Sequence, residues 1–309
     1  MSENYDEELD IFREMVKKAL QKEIAPFHDD WEKAGILPRE MWNTLGNAGL
    51  LCVDLPLEFG GSGVSFKFSQ LILEEIARLG FVGLAGSVAI QSDIVAQYIL
   101  HIGSDEQKQQ WLPGMCTGEV VTAIAMTEPG AGSDLQGMRT SAIAEGDEFV
   151  INGSKTFITN GANADMVVVA AKTDPKAGGK GISLFLVDTK LAGFKKGKVL
   201  EKIGQHAGDT TELFFEDLRV PASALLGQLN HGFFYLIQEL PRERLAIGTT
   251  AVAAAEGALA WTVEYVNQRK AFSKRLSEFQ NTRFKLAELK TEIEINKAYL
   301  NQCVSQYEA

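Results

Sequence analysis

Two short segments rich in glycine, hydroxyl and aromatic side chains have the composition of a cofactor-binding site. The first runs from residue 124 to residue 134 and reads Ile-Ala-Met-Thr-Glu-Pro-Gly-Ala-Gly-Ser-Asp. Because glycine has no Cβ, such a loop can bring backbone N–H groups close to a planar heterocycle or a phosphate. On composition alone, however, an ordinary strand-to-loop turn is the favoured interpretation.

The second segment covers residues 152 to 161 and reads Asn-Gly-Ser-Lys-Thr-Phe-Ile-Thr-Asn-Gly. We expect it to follow a strand. Phe157 is two residues from Thr159, and in an extended chain those side chains lie on the same face. An aromatic ring beside a hydroxyl group suits one face and the polar edge of a flavin. Alone, this pattern does not distinguish a flavin site from an ordinary strand.

A carboxylate between two arginines is the candidate for acid–base chemistry. Residues 240 to 245 read Leu-Pro-Arg-Glu-Arg-Leu, with Glu243 at the centre. A carboxylate in a dry apolar pocket has a raised pKa, which makes it a stronger base. The alternative is an acid in the first turn after Pro241, where the helix dipole favours negative charge. From these residues alone the alternative is favoured.

Other chemical signatures are absent from the sequence. It has no phosphate loop, no G-x-S-x-G, no H-E-x-x-H and no C-x-x-C. Gly61 and Gly63 form G-x-G, but Phe66 replaces the third glycine of a dinucleotide-binding motif. The four histidines and three cysteines have no metal-ligand spacing, so we expect no metal site and free thiols in a reducing compartment.

Length and charge narrow the class of protein. A chain of 309 residues with 45% hydrophobic content can bury a large core, and its formal charge of −11 argues against nucleic acid as the main partner. The longest apolar stretch, near Phe81, falls short of the roughly 18 residues of a membrane span. The acidic N-terminus resembles neither a signal nor a transit peptide. We expect a bacterial-type cytoplasmic protein, or a mitochondrial matrix protein if this is a mature eukaryotic chain.

The periodicity of the apolar residues divides the chain into three regions, which must position these segments. Residues 1–120 have helical apolar spacing and predict an N-terminal helical domain. Residues 121–230 hold at least five short β-branched runs, with a hairpin turn at Gly146-Asp147, and predict an antiparallel sheet domain. Residues 231–309 predict a C-terminal helical domain that is incomplete, because its apolar stripe continues to the last residue. The predicted fold is mainly α with a central antiparallel β domain.

In this order and setting, the two segments resemble the signatures of the acyl-CoA dehydrogenase family of flavoproteins. Residues 269–280, which begin Arg-Lys-Ala-Phe-Ser-Lys and end Phe-Gln, resemble the family's R-x-x-F-G-K…Q element, with Ser273 in place of the glycine. The resemblance covers nearly the whole chain and is closest to the long-chain members. With the resemblance, the catalytic base rather than the first-turn acid becomes the favoured interpretation of Glu243, because those members place their catalytic glutamate directly before an arginine on an earlier helix.

The resemblance implies FAD as cofactor and assigns residues to it, to the acyl-CoA substrate and to the base. Arg269 and Gln280 would reach the FAD of a neighbouring subunit. The implied cofactor-binding residues are Ile124, Ala125, Met126, Thr127, Gly132, Ser133, Phe157, Ile158, Thr159, Arg269, Phe272 and Gln280. The implied substrate-binding residues are Ser133, Phe234, Pro241, Arg242 and Arg244, and the implied catalytic residue is Glu243.

The implied reaction is α,β-dehydrogenation of an acyl-CoA, with long chains favoured, to the trans-2-enoyl-CoA. The base removes the proton next to the carbonyl, and the neighbouring hydride goes to flavin N5. We expect an electron-transferring flavoprotein as acceptor and a homo-oligomer, either a dimer or a tetramer. We also expect the small residues between Gly80 and Ser87 to let a long acyl chain pass. An incomplete flavoprotein fold acting as a binding module and an acyl-CoA oxidase are the alternatives.

Overall fold

The computed structural model describes residues 3–309, with side chains from Glu7 onward. Met1 and Ser2, at the start of the acidic N-terminus, lie outside the described residues. The helices are α1 (Glu3–Glu23), α2 (Ala25–Ala34), α3 (Arg39–Asn47), α4 (Phe66–Arg78), α5 (Val82–Ala89), α6 (Ala96–Ile102), α7 (Asp105–Thr117), α8 (Gly232–Gln268) and α9 (Gln280–Tyr307). The strands are β1 (Thr122–Ala125), β2 (Ser141–Glu145), β3 (Glu148–Thr159), β4 (Met166–Lys172), β5 (Ile182–Asp188), β6 (Phe194–Val199), β7 (Thr210–Pro221), β8 (Leu225–Leu226), β9 (Lys270–Ala271) and β10 (Lys274–Arg275).

The N-terminal helices pack around a shared apolar core, as the sequence predicts. Helix α7 begins at a capping box, where the Ser104 hydroxyl accepts from the Gln107 N–H and the Gln107 side chain accepts from the Ser104 N–H in return. It ends at Gly118, whose φ of 76° is left-handed. Between α5 and α6 the segment Ile90–Val95 is a π-helix, so the three elements form one long, locally widened helix.

The central sheet is mixed, so the expectation of an antiparallel domain is partly wrong. Its eight strands follow the order β6-β7-β3-β2-β4-β5-β8, and β1 pairs with β4 in parallel. The hairpin between β2 and β3 turns at Gly146-Asp147 as predicted, because Glu145 pairs with Glu148. Strand β4 is buried along its whole length, since helices cover one face and the second apolar cluster covers the other. A strand buried on both faces has no polar alternation that would reveal its direction.

One further element differs from expectation. The second signature segment does not follow a strand, because most of it lies inside β3, which continues to Thr159. The edge strand β6 carries the lysines at positions 195, 196 and 198. There the Lys196 ammonium donates to the carbonyl oxygens of Ala162 and Ala164 at 2.9 and 2.7 Å. Charged lysines are typical of an edge strand, because they oppose pairing with another chain.

Helix α8 begins nine residues before Pro241 and runs through it for 37 residues. Glu243 is therefore in the helix interior, and the first-turn explanation for its position is wrong. Among the described residues, α8 is the one helix long and apolar enough to cross a membrane, by length and composition alone. A core helix of a folded domain passes the same test, so the result is weak support for a span.

Candidate active site

One face of α8 lines a cavity of about 250 Å³ that also contacts the first signature loop. The helix residues of this face follow helical spacing, with Leu236, Leu240 and Glu243 in successive turns. Met126 and Ser133 line the same cavity from the loop after β1. The complete lining is Met126, Ser133, Asp134, Leu135, Gln136, Phe233, Leu236, Ile237, Leu240 and Glu243. Glu243 thus faces the predicted cofactor loop across a largely apolar space.

Glu243 is buried, with 8% of its surface exposed. Burial raises the pKa of Glu243, and the nearby Glu239 carboxylate raises it further, against the opposing hydrogen bond from Tyr98. The Tyr98 hydroxyl donates to Glu243 Oε1 at 2.9 Å. A carboxyl group in this setting is suited to accept a proton from carbon, because its charged form is poorly solvated.

A second cavity of about 420 Å³ continues along α8 past Glu243. Ile247, Thr250 and Ala251 extend the helix face, and Gly86 and Ile90 lie across from it. Its lining is Val82, Gly83, Gly86, Ala89, Ile90, Ile94, Thr159, Lys202, Gln205, Gly208, Thr210, Ile247, Thr250 and Ala251. Both cavities therefore lie along α8: Glu243 lines the first, and the second begins one turn later at Ile247.

Of the five small residues expected to line an acyl channel, two line the second cavity and three do not. Gly83 and Gly86 line the second cavity, and a Cβ on Gly86 would meet open space. Gly80 packs against Trp261, where a Cβ would come within 2.6 Å of the indole ring. Ala85 and Ser87 are completely buried.

The first signature loop is supported by a buried ion pair that sequence reasoning missed. Lys155 Nζ donates to Glu128 Oε1 at 2.9 Å and to the Met126 carbonyl oxygen at 3.0 Å. Burial alone would raise the pKa of Glu128, but hydrogen bonding from Thr140 and the charge of Lys155 lower it. The Thr156 N–H donates to the Thr127 carbonyl oxygen at 3.0 Å, which joins the two signature segments. Both charged residues lie inside those segments, but nothing in the sequence pairs them.

Strand alternation separates the signature residues into two groups. Phe157 is 66% exposed at a strand irregularity with a φ of 59°, and Thr159 is half-buried. Ile158, on the opposite face, is buried in the sheet core. Ile124 and Ala125 are also buried, on the two sides of the sheet. The assignment of Ile124, Ala125 and Ile158 to the cofactor stays a prediction, and because the core surrounds their side chains, their backbone is the part that could contact a cofactor.

The arginines on either side of Glu243 have different environments. Arg242 is 5% exposed and points into the N-terminal domain, where Nη2 donates to Asp54 Oδ2 at 2.6 Å and to Asp93 Oδ1 at 2.9 Å. Its charge is neutralised there, and its contact with the substrate stays a prediction. Arg244, Pro241 and Phe234 are exposed along α8, where a ligand could contact them.

The third signature lies at the far end of α8. Arg269 is 26 residues beyond Glu243, which is about 40 Å along the helix. Phe272 and Ser273 form the turn between β9 and β10 with φ angles of 53° and 63°, and Phe272 is 91% exposed. Gln280 is also exposed, at the start of α9. These three cofactor candidates are not brought to the Glu243 cavity within one chain.

Comparison with known proteins identifies the family. The family model of the acyl-CoA dehydrogenase N-terminal domain matches residues 6–119, that of the middle domain residues 123–218 and that of the C-terminal domain residues 230–309. The chain belongs to the acyl-CoA dehydrogenase family. The long-chain specific acyl-CoA dehydrogenase of Rattus norvegicus mitochondria is 48% identical over 306 residues, which is 98% of this chain and 71% of that protein.

Solved structures of the family share the fold. The crystal structure of an acyl-CoA dehydrogenase from Geobacillus kaustophilus has a TM-score of 0.95 and 46% identity, and the match covers 100% of this chain and 80% of that chain. A glutaryl-CoA dehydrogenase from Mycobacterium smegmatis in complex with FADH2 has a TM-score of 0.91 and 31% identity, covering 100% and 77%. Acyl-CoA dehydrogenases are flavoprotein oxidoreductases of fatty acid and amino acid β-oxidation, with FAD as cofactor and a homotetramer as the typical assembly.

The residues of this acyl-CoA dehydrogenase fit the flavin. The exposed ring of Phe157 offers an apolar face, with the Thr159 hydroxyl two residues away on the same face of the strand. Gly130 and Gly132 have open space where a Cβ would stand, so the loop backbone is accessible. Among the described residues, no group of three or more His, Cys, Asp or Glu side chains is arranged to hold a metal.

Proposed function

We propose that this chain catalyses the FAD-dependent α,β-dehydrogenation of a long-chain acyl-CoA to the trans-2-enoyl-CoA, with Glu243 as the base. The observation that carries the proposal is the Glu243 carboxylate in the wall of an apolar cavity shared with Met126 and Ser133 of the signature loop. Its raised pKa supports this role. A proton next to a thioester carbonyl is weakly acidic, so its removal needs a basic, poorly solvated and well-positioned acceptor.

The chain's own residues would supply binding, orientation and exclusion of water. Thr127, Ser133, Phe157 and Thr159 would hold the flavin, with the backbone of Met126 and Gly132. FAD, when bound, supplies the acceptor for the hydride that leaves the β-carbon. Glu243 would take the α-proton from the same substrate, because it lies opposite the loop that would hold the cofactor.

The acyl chain would lie in the second cavity, beyond Glu243. This cavity is apolar along α8 and open at Gly86, so methylene groups would lose contact with water there. Ser133 and the exposed Phe234, Pro241 and Arg244 would contact the CoA portion at the other end. The similarity to long-chain specific relatives supports the same chain length.

We also propose a homo-oligomer in which Arg269, Phe272 and Gln280 contact the FAD of a neighbouring copy. The basis is that Arg269 lies about 40 Å from Glu243 along α8, and that Phe272 and Gln280 follow in the turn and the helix beyond it. Arg269 suits a diphosphate, because its guanidinium can pair with two phosphate oxygens. An electron-transferring flavoprotein as electron acceptor and a bacterial-type cytoplasmic location remain predictions.

The decisive experiment is a spectral titration of the FAD-loaded chain with acyl-CoA esters of graded length. We expect long-chain esters to bleach the flavin absorbance of the wild type. Glu243→Gln should keep flavin colour and ester binding but lose turnover by about 10³-fold or more, since one essential proton acceptor is removed. Glu264→Gln, an exposed acid on the same helix, is the matched control and should behave as the wild type.

Three results would contradict the proposal in different ways. A chain that stays colourless after incubation with FAD would favour a binding module. Near-normal turnover of Glu243→Gln would remove Glu243 as the base. Rapid reoxidation by air with substrate still bound would identify an oxidase instead.

A further inference from the structure

A buried tyrosine holds one oxygen of the proposed base. Tyr98 lies on α6 and is completely buried, and its hydroxyl donates to Glu243 Oε1 at 2.9 Å. Among the described residues, Oε1 is the only Glu243 oxygen with a hydrogen-bond partner. Burial and the Glu243 carboxylate raise the pKa of Tyr98, so its hydroxyl stays protonated and can only act as the donor to a carboxylate.

The neighbouring residue on α8 is fixed to the same helical segment. Arg242 binds Asp93 at 2.9 Å, and Asp93 also accepts from the Ser69 hydroxyl at 2.7 Å. All three side chains are buried. Residues 242 and 243 are therefore both attached to the stretch between residues 93 and 98. This double attachment limits rotation and sliding of α8 at the point where it carries the base.

We propose that Tyr98 is a positioning residue for Glu243, holding Oε1 so that Oε2 is the oxygen presented to the substrate proton. This inference rests on the proposed function of Glu243. A carboxylate that is free to rotate would spend part of its time with neither lone pair directed at the substrate. Fixing one oxygen removes that freedom before the substrate binds, and such orientation is a large part of catalytic rate.

Several charged groups surround Glu243 and must be considered together. Glu239, one turn earlier on α8, raises the pKa of Glu243, and Arg244 on the same helix lowers it. Glu239 Oε1 lies 3.0 Å from Nδ1 of His101 on α6. Asp134 lines the cavity from the signature loop. Tyr98 is the one that contacts the carboxylate directly, so its removal should have the clearest effect.

The test compares Tyr98→Phe with the matched control Tyr299→Phe, an exposed tyrosine on α9. Tyr98→Phe removes the hydrogen bond that stabilises the charged form of Glu243. The acid limb of the kcat–pH profile should therefore move up by about one pH unit, which is a tenfold change in the proton affinity of Glu243. On the plateau, kcat should fall about tenfold while KM stays within about twofold, because orientation rather than binding is lost. The control should match the wild type in both readouts.

A second pair of variants should shift the acid limb in the opposite direction, and it keeps the test decisive if Tyr98→Phe fails to fold. Incorporation of 3,5-difluorotyrosine at position 98 strengthens the donor at nearly constant shape, and Glu239→Gln removes a like charge. Both should move the acid limb downward. The infrared carboxyl band of Glu243, assigned by its absence in Glu243→Gln, should titrate with the same shifts in the absence of substrate.

The outcomes separate this inference from the proposed function. A wild type without turnover refutes the proposed function directly. Suppose that the wild type turns over and Glu243→Gln does not. If the position-98 variants then leave the limbs of the kcat–pH profile and the titration of the Glu243 carboxyl band unchanged, the role of Tyr98 is refuted. An equal fall in kcat at every pH, without movement of either limb, also refutes it, because that result indicates packing alone.

Discussion

Gly86 offers a direct test of where the acyl chain lies. It is part of α5 and lines the second cavity, and a side chain built on it would extend into open space. In Gly86→Leu, the new side chain would occupy roughly the volume of four carbon atoms of the substrate. Because each buried methylene contributes about 0.8 kcal/mol, displacing three or four of them should cost about 2–3 kcal/mol. This corresponds to a loss of roughly 30- to 150-fold in kcat/KM for the longest esters.

The assay is kcat/KM for a series of acyl-CoA esters of increasing length, with Gly86→Ala as an intermediate step. Short esters should be unaffected, so the profile should shift towards them. Folding should be preserved, because leucine favours a helix over glycine by roughly 0.5–1 kcal/mol. Ala258→Leu, on an exposed part of α8, is the control for an added leucine. A proportionate loss for short and long esters, or no loss in a FAD-loaded variant, would refute the assignment of the cavity.

Three further predictions concern stability. Lys155→Met should lower the free energy of unfolding by about 2–3 kcal/mol and reduce FAD content, since the buried Glu128 carboxylate loses its cation. The control Lys195→Met, at the surface, should lower the free energy of unfolding by less than about 1 kcal/mol. Denaturant unfolding measures the stability of each variant, and the flavin spectrum measures its FAD content. Arg242→Met should cost about 3–5 kcal/mol in the same unfolding assay by leaving Asp93 buried without its partner, and adding Asp93→Asn should recover much of that loss. Burial raises the pKa of Glu243, so the folded chain binds this proton more tightly than the unfolded chain, and the stability that the proton contributes is lost as the pH rises through the folded pKa. Glu243→Gln should therefore raise the melting temperature at neutral pH and have little effect in acid. Equal effects on the melting curves at both pH values would contradict this prediction.

Much of the fold could be predicted because periodic patterns specify it. Helical spacing and the Gly146-Asp147 turn are local signals, and the structure has both of them. The parallel pairing of β1 with β4 could not be predicted in this way. Both strands are covered on two faces, so their apolar runs contain no information about direction.

The candidate site was predictable to the extent that family motifs specify it. The structure places Glu243 in one cavity with Met126 and Ser133, but that proximity depends on contacts between distant elements. Arg242 shows the limit of reasoning from neighbours, because adjacent helix residues point about 100° apart. Tyr98 and Lys155 carry no motif of their own, and only the folded chain brings them to the site.

The π-helical turn at Ile90–Val95 lies in the segment that attaches α8 through Asp93 and Tyr98. In a regular α-helix, residues five apart, such as Asp93 and Tyr98, point about 140° away from each other. A π-helical turn rotates less per residue, and Asp93 lies in it while Tyr98 follows in α6. The widened turn adds no chemical group, yet it reduces the angle between two side chains that both reach α8.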